Sequence, residues 1–189
     1  MNRSKSVYRM AIAALLVAVG IIIPMFMPLK IVVPLMTFTL ASHVAIFLAM
    51  FISPMTAVAV ALGTTVGFVL SGLPPEVWMR AATQVVWAVL GAWWLQKHPD
   101  TLRQPVSSVL FCLAVALIHG VMELLVVATL YFGGFAGAAE KWNQAGFMGI
   151  ILLVGVGAMV HSSVDYIVSC LIWRPIRMIK NVGEIASAN

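Results

Sequence analysis

His119 and Glu123 stand four residues apart, and so do His161 and Asp165. On a helix that spacing puts both members of each pair on one face, within reach of a hydrogen bond. An imidazole beside a carboxylate can bind a polar ligand, relay a proton or fasten one helix to its neighbour, and spacing alone leaves all three uses open. A further set runs Arg80, Gln84, Trp87, Gly91 and Trp94 at steps of four, three, four and three, again one helical face. A guanidinium pairs with a carboxylate and an indole stacks on a ring, so Arg80, Gln84 and Trp87 form a surface suited to a small planar anion. Two other uses stay open for Arg80: reaching out to lipid headgroups, or pairing with Glu76 four residues earlier. Lys30 and the Ser42-His43 pair, with Thr37 and Thr39 close by, complete the candidates.

These groups sit in a chain with almost no other charge. Its 189 residues include only 11 Lys or Arg and 6 Asp or Glu, and 62% are hydrophobic. Apolar runs follow one another from position 10 to position 173, a pattern suited to a hydrocarbon solvent that about 20 apolar residues cross as a helix. The chain is therefore read as an integral membrane protein. A carboxylate turned toward lipid is costly, so the polar faces must look inward or into a wet cavity. Six spans are predicted, at about 8–27, 36–52, 55–71, 77–95, 106–132 and 147–173, giving an all-α six-helix bundle that forms one transmembrane domain over 1–189. Ser53-Pro54 separates the second and third spans, which predicts a tight helical hairpin because proline cannot continue the preceding helix.

The basic residues are sorted by side. Arg3, Lys5 and Arg9, then Lys97 and Arg103, then Arg174, Arg177 and Lys180 all fall on the side of the termini; the other side holds Lys30, Arg80 and Lys141. The positive-inside rule puts both termini in the cytoplasm. That sorting accounts for the net charge of +5, so no nucleic-acid partner is inferred. The first apolar run continues to Pro24-Met25-Phe26-Met27-Pro28 and is read as a retained helix rather than a cleaved signal. Cys112 and Cys170 lie inside predicted spans with no CxxC or Cys/His spacing, so neither a disulfide nor a metal site is expected from them.

Two connections are irregular. Residues 24–34 hold three prolines yet stay apolar, which makes them either a re-entrant connection or a lid over an outward-facing cavity with Lys30 at its mouth. Residues 133–144 are rich in Gly and Ala and serve as a second gate or a plain loop. Gly63 and Gly67 make a GxxxG spacing that permits close backbone contact in the third span. Ala11, Ala14 and Ala18 line one face of the first helix, a smooth surface for bundle packing or for another subunit.

Taken together, the length, six helices, inward termini, structured first outer loop and Ala-rich first helix resemble the S components of energy-coupling factor (ECF) transporters, the vitamin-binding subunits of bacterial ABC-type importers. The most transferable element is Ala-x-x-x-Ala, matched by Ala14-Leu15-Leu16-Val17-Ala18. The resemblance implies a multi-pass protein of the bacterial plasma membrane that binds a water-soluble B vitamin beneath the first loop. Ala11, Ala14 and Ala18 would dock on a transmembrane coupling subunit driven by two ATPase subunits. ATP would be bound by those partners, and this chain has no GxxxxGK[ST] run and needs no cofactor of its own. The substrate set it implies is Lys30, His43, Arg80, Gln84, Trp87, His119, Glu123, His161 and Asp165, with no metal and no catalytic residue. The run Phe38-Thr39-Leu40-Ala41-Ser42-His43-Val44 and the Arg80 region look like the niacin-type members; pantothenate, pyridoxine and hydroxymethylpyrimidine follow. The competing class is a self-sufficient secondary transporter or channel, although no internal repeat relates 8–71 to 77–173. The absence of HExxH, GxSxG and acidic clusters speaks against an enzyme.

Overall fold

The computed structural model describes residues 3–33, 36–134, 146–180 and 182–183. Helix α1 spans Arg3–Phe26 and is followed by a two-stranded antiparallel hairpin, β1 Lys30–Val33 and β2 Met36–Thr39. Helices α2 Val44–Ile52, α3 Pro54–Leu70, α4 Pro75–Lys97 and α5 Pro105–Phe132 come next. The last rod is continuous: α6 Gly146–Ile150, a π-helical turn Ile151–Val156, and α7 Gly157–Ile176. The protein is an all-α membrane protein with one short hairpin. The Lys141-containing connection 135–145 lies outside the described residues, as do Pro34 and Leu35.

Local chemistry sets the boundaries. Pro54, Pro75 and Pro105 each open a helix, where a missing N–H is harmless and a fixed φ is already helical. Ser53 serves both sides of the predicted hairpin: its N–H donates to Ala49 O at 3.1 Å, and its hydroxyl accepts from Thr56 N at 3.1 Å.

The second span departs from expectation. Residues 36–39 are strand, and only nine residues, Val44–Ile52, are helical. At 1.5 Å per residue that helix is about 13 Å long, under half of a hydrocarbon layer. The physical reason lies upstream, where Lys-Ile-Val-Val and Met-Thr-Phe-Thr pair as strands, Lys30 opposite Thr39 and Ile31 opposite Phe38. All nine residues of α2 are buried, and the helix packs against α1, α3, α4 and α7 at the centre of the bundle.

Outward faces are apolar, with Leu15, Ile22, Leu70, Leu113, Leu125 and Phe132 all exposed. Lys5–Phe26, Pro105–Phe132 and Met148–Ile176 are each long and apolar enough to cross a membrane, and Pro54–Leu70 is a shorter apolar helix. Small residues bring helices together, as the GxxxG spacing predicts: a side chain at Gly63 would meet Val17, and one at Gly67 would meet Ile21, both on α1. Gly120 is less forgiving, because a Cβ there would lie 2.8 Å from a backbone atom, the carbonyl oxygen of Gly155 in the π turn. Backbone cannot swing aside as a side chain can. Gly120→Ala is therefore expected to lower stability by about 1–3 kcal/mol, read as a fall in apparent Tm in detergent, whereas Gly72→Ala, with no neighbour within 4 Å, has only its backbone conformation (φ +70°) to resist it.

Candidate functional site

Four elements converge on one buried polar cluster: the turn after β2, α4, α5 and α7. Its first half centres on Asp165 of α7, which is fully buried. Asp165 Oδ1 accepts from Ala41 N at 2.7 Å, and Oδ2 accepts from His43 N at 2.9 Å. The His43 ring adds Nδ1 at 3.0 Å from Oδ2, and His161 Nε2 lies 3.6 Å from the same oxygen. Ser42 Oγ sits among them, 2.9 Å from His161 Nε2 and 3.3 Å from His43 Nδ1. One carboxylate thus holds the turn that joins the hairpin to α2. Ala41 takes a left-handed backbone, φ 66°, a conformation that costs a non-glycine residue about 1–2 kcal/mol. It points the Ala41 N–H at Asp165, which supplies the compensation.

The second half centres on Glu123 of α5. Arg80 Nε donates to Glu123 Oε2, and His119 Nε2 lies 3.3 Å from Oε1. Of the two partners open to Arg80 along the sequence, neither Glu76 nor a lipid headgroup is needed, because α5 supplies the carboxylate. The halves meet through rings. His43 stands edge-on to His119 at 4.7 Å and to His161 at 4.9 Å, so three of the chain's four histidines meet ring to ring. Trp87 packs on His119 at 5.4 Å and on Phe47 at 5.0 Å. Phe38 of β2 covers the outer edge, 5.5 Å from the His161 ring.

Not every buried polar atom is satisfied. Trp87 Nε1, His119 Nδ1 and Ser162 Oγ are buried with no hydrogen-bond partner among the described residues. An unpaired buried polar atom costs about 1–3 kcal/mol, and two of these, on Trp87 and His119, lie in the ring cluster itself.

Of the residues singled out in the sequence, His43, Arg80, Trp87, His119, Glu123, His161 and Asp165 are brought together. Gln84 is buried on the face of α4 that also buries Trp87, one turn from each of Arg80 and Trp87. Lys30 stands apart: it is exposed, and its Nζ donates to Met25 O at 3.2 Å near the end of α1. Trp94 is exposed and stacks on His98 at 4.2 Å, so the ligand-like face of α4 ends at Gly91. Ala11, Ala14 and Ala18 face outward on α1. Sequence reasoning missed Ala41, whose left-handed φ carries no signal in its type, and the central place of Ser42. It also missed Phe38 as a cover, although period-two alternation in Met-Thr-Phe-Thr hints at it.

The i, i+4 pairing is uneven. His119 and Glu123 do contact within their helix, but Asp165 turns mainly to the 41–43 turn and His161 to Ser42. The carboxylates bridge elements more than they satisfy their own helices.

Comparison with known proteins gives one informative match. Over 165 residues the chain is 38% identical to the Niacin transporter NiaX of Lactococcus lactis subsp. cremoris (strain MG1363), an alignment covering 87% of this chain and 72% of that protein. No protein-family model and no solved structure matches the chain.

Proposed function

We propose, for a chain that belongs to the same family as that niacin transporter, the S components of energy-coupling factor transporters, that it captures a small water-soluble B vitamin and delivers it across the bacterial plasma membrane. It is a membrane transport protein and not an enzyme. Niacin is the first candidate, since the relative's name and the chemistry of the cluster point the same way. Nicotinate is a flat ring with a carboxylate; Arg80 offers a guanidinium, and Trp87 and the three imidazoles offer stacking faces. The observation that carries this reading is the buried cluster itself, with the Trp87 Nε1 donor and the His119 Nδ1 atom left without a partner among the described residues, inside a bundle whose exterior is apolar.

In this reading the chain is a single domain of six membrane-embedded segments, α2 being the short central one, with both termini cytoplasmic. The β-hairpin is then the outer lid, and Phe38 is the part of it that closes on the ligand. Lys30 attracts anions to the mouth rather than touching the bound vitamin. No residue here binds ATP; a coupling subunit and two ATPases supply the energy. The outward Ala face of α1 is the docking surface for that module, because small side chains let a partner helix approach closely.

Reconstituted uptake tests the proposal. Proteoliposomes with this chain alone should accumulate no nicotinate, and those that also hold the coupling subunit and ATPases should do so with ATP. Uptake by the chain alone would assign it to the self-sufficient transporters. Ala14→Trp and Ala18→Trp should reduce coupled uptake to background while leaving vitamin affinity within about twofold, since both side chains point away from the cluster. Uptake that survives both changes would move the docking surface elsewhere.

A further inference from the structure

The geometry points to a divalent metal site of the zinc class formed by His43, His161, Asp165 and Ser42. One donor atom from each of His43, His161 and Asp165 lies within 4.8 Å of the other two. Adding Ser42 Oγ gives four donor atoms from two separate elements, the 40–43 turn and α7. Five of the six separations among them are known: 3.0 Å for His43 Nδ1 to Asp165 Oδ2, 3.6 Å for His161 Nε2 to the same oxygen, and 2.9, 3.3 and 3.5 Å from Ser42 Oγ to His161 Nε2, His43 Nδ1 and Asp165 Oδ2. Tetrahedral zinc with N and O ligands at about 2.0–2.1 Å sets its ligands about 3.3–3.4 Å apart. The five separations, 2.9–3.6 Å, bracket that spacing, and the two imidazole nitrogens, within 4.8 Å of each other, would draw together on the ion.

The hydrogen-bond pattern supports the same conclusion. Asp165 Oδ2 has four polar neighbours within 3.6 Å: the His43 N–H, His43 Nδ1, Ser42 Oγ and His161 Nε2. One carboxylate oxygen offers about two lone pairs, so hydrogen bonds alone crowd it. A metal uses one of those lone pairs and binds the two imidazoles and the hydroxyl at once. Meanwhile Ala41 N holds Oδ1, the kind of supporting contact that fixes a metal-ligating carboxylate. Two histidines and a carboxylate are a donor set that suits zinc and its neighbours in the transition series. Ser42 is the weakest of the four ligands, and the position it fills is where an anionic guest would enter. Sequence spacing shows only the two halves of this site, Ser42-His43 and His161/Asp165, which lie more than a hundred positions apart and meet only in the fold.

The metal site stands on the four donor atoms and not on the transport reading, so the two are tested separately in one sample. Untagged protein purified in detergent is stripped with EDTA and titrated with Zn2+, and with Co2+ followed by its visible spectrum. The expected result is one tightly held ion per chain and Co2+ bands of tetrahedral intensity. His43→Ala and His161→Ala should each weaken binding beyond the roughly 10–100-fold that loss of a merely supporting residue costs, and His98→Ala, remote from the cluster, should change nothing. Should either alanine variant fail to fold, Ser42→Cys reports instead: it should tighten Zn2+ binding and add a thiolate-to-cobalt charge-transfer band. No stoichiometric ion, affinity indifferent to both histidines, or no such band in Ser42→Cys would overturn the site. Nicotinate binding is read on the same samples. Metal without vitamin leaves this site standing and removes the transport reading; vitamin without metal does the reverse.

Discussion

Arg80→Gln is expected to cost the folded chain about 3–5 kcal/mol, because it leaves the buried Glu123 carboxyl without the guanidinium it faces. The fall should show as a drop in apparent Tm and in the monodisperse fraction after extraction. Glu123→Gln should do comparable damage by orphaning the guanidinium, whose side chain is only 20% exposed. The double variant Arg80→Gln/Glu123→Gln should recover more than half of the loss, since two facing amides can bond each other. That recovery separates two roles of Arg80. Stability returns in the double variant, but affinity for an anionic vitamin stays low, as the positive charge is gone. A double variant that regains vitamin affinity as well as stability would confine Arg80 to holding α4 against α5.

Asp165→Ala should be the most damaging change on α7. It removes the acceptor for two backbone N–H groups, at Ala41 and His43, and for the His43 ring. Each orphaned buried donor costs about 1–3 kcal/mol, and the left-handed backbone at Ala41 loses its compensation as well. The loss should exceed about 3 kcal/mol and be local in its first expression. Hydrogen exchange should accelerate in 36–43 before α5 is affected, and Phe38 should leave His161. Asp165→Asn keeps one carbonyl acceptor and should fall between wild type and Asp165→Ala. Equal exchange in 36–43 for wild type and Asp165→Ala would show that the hairpin is held by other contacts.

Much of this is legible in the sequence. Long apolar runs fixed α1, α3, α4, α5 and the last rod to within a few residues, because in lipid a backbone must satisfy itself and a helix does so locally. The same rule made the rare polar residues conspicuous, and His43, Arg80, Trp87, His119, Glu123, His161 and Asp165 do share one cluster. What stayed hidden was pairing. Helical periodicity shows which residues share a face, not which carboxylate a guanidinium will find, so Arg80 with Glu123 could not be preferred over Arg80 with Glu76. The apolar stretch 36–52 also read as one span, since strand and helix look alike in a continuous hydrophobic run. Ala41 gave no warning of its left-handed turn, and Ser42 gave none of its central place.

A vitamin bound in this cluster is the central claim, and intrinsic fluorescence reads it most directly. Of the six tryptophans, Trp87 is fully buried against His119 and Phe47. Titrating the purified chain with nicotinate should quench emission saturably at submicromolar concentration, with pantothenate, pyridoxine and hydroxymethylpyrimidine far weaker. In Trp87→Phe the quench should largely vanish while radiolabelled nicotinate still binds. Silence toward every vitamin in wild type, or a quench that persists unchanged in Trp87→Phe, would contradict a ligand seated beside Trp87.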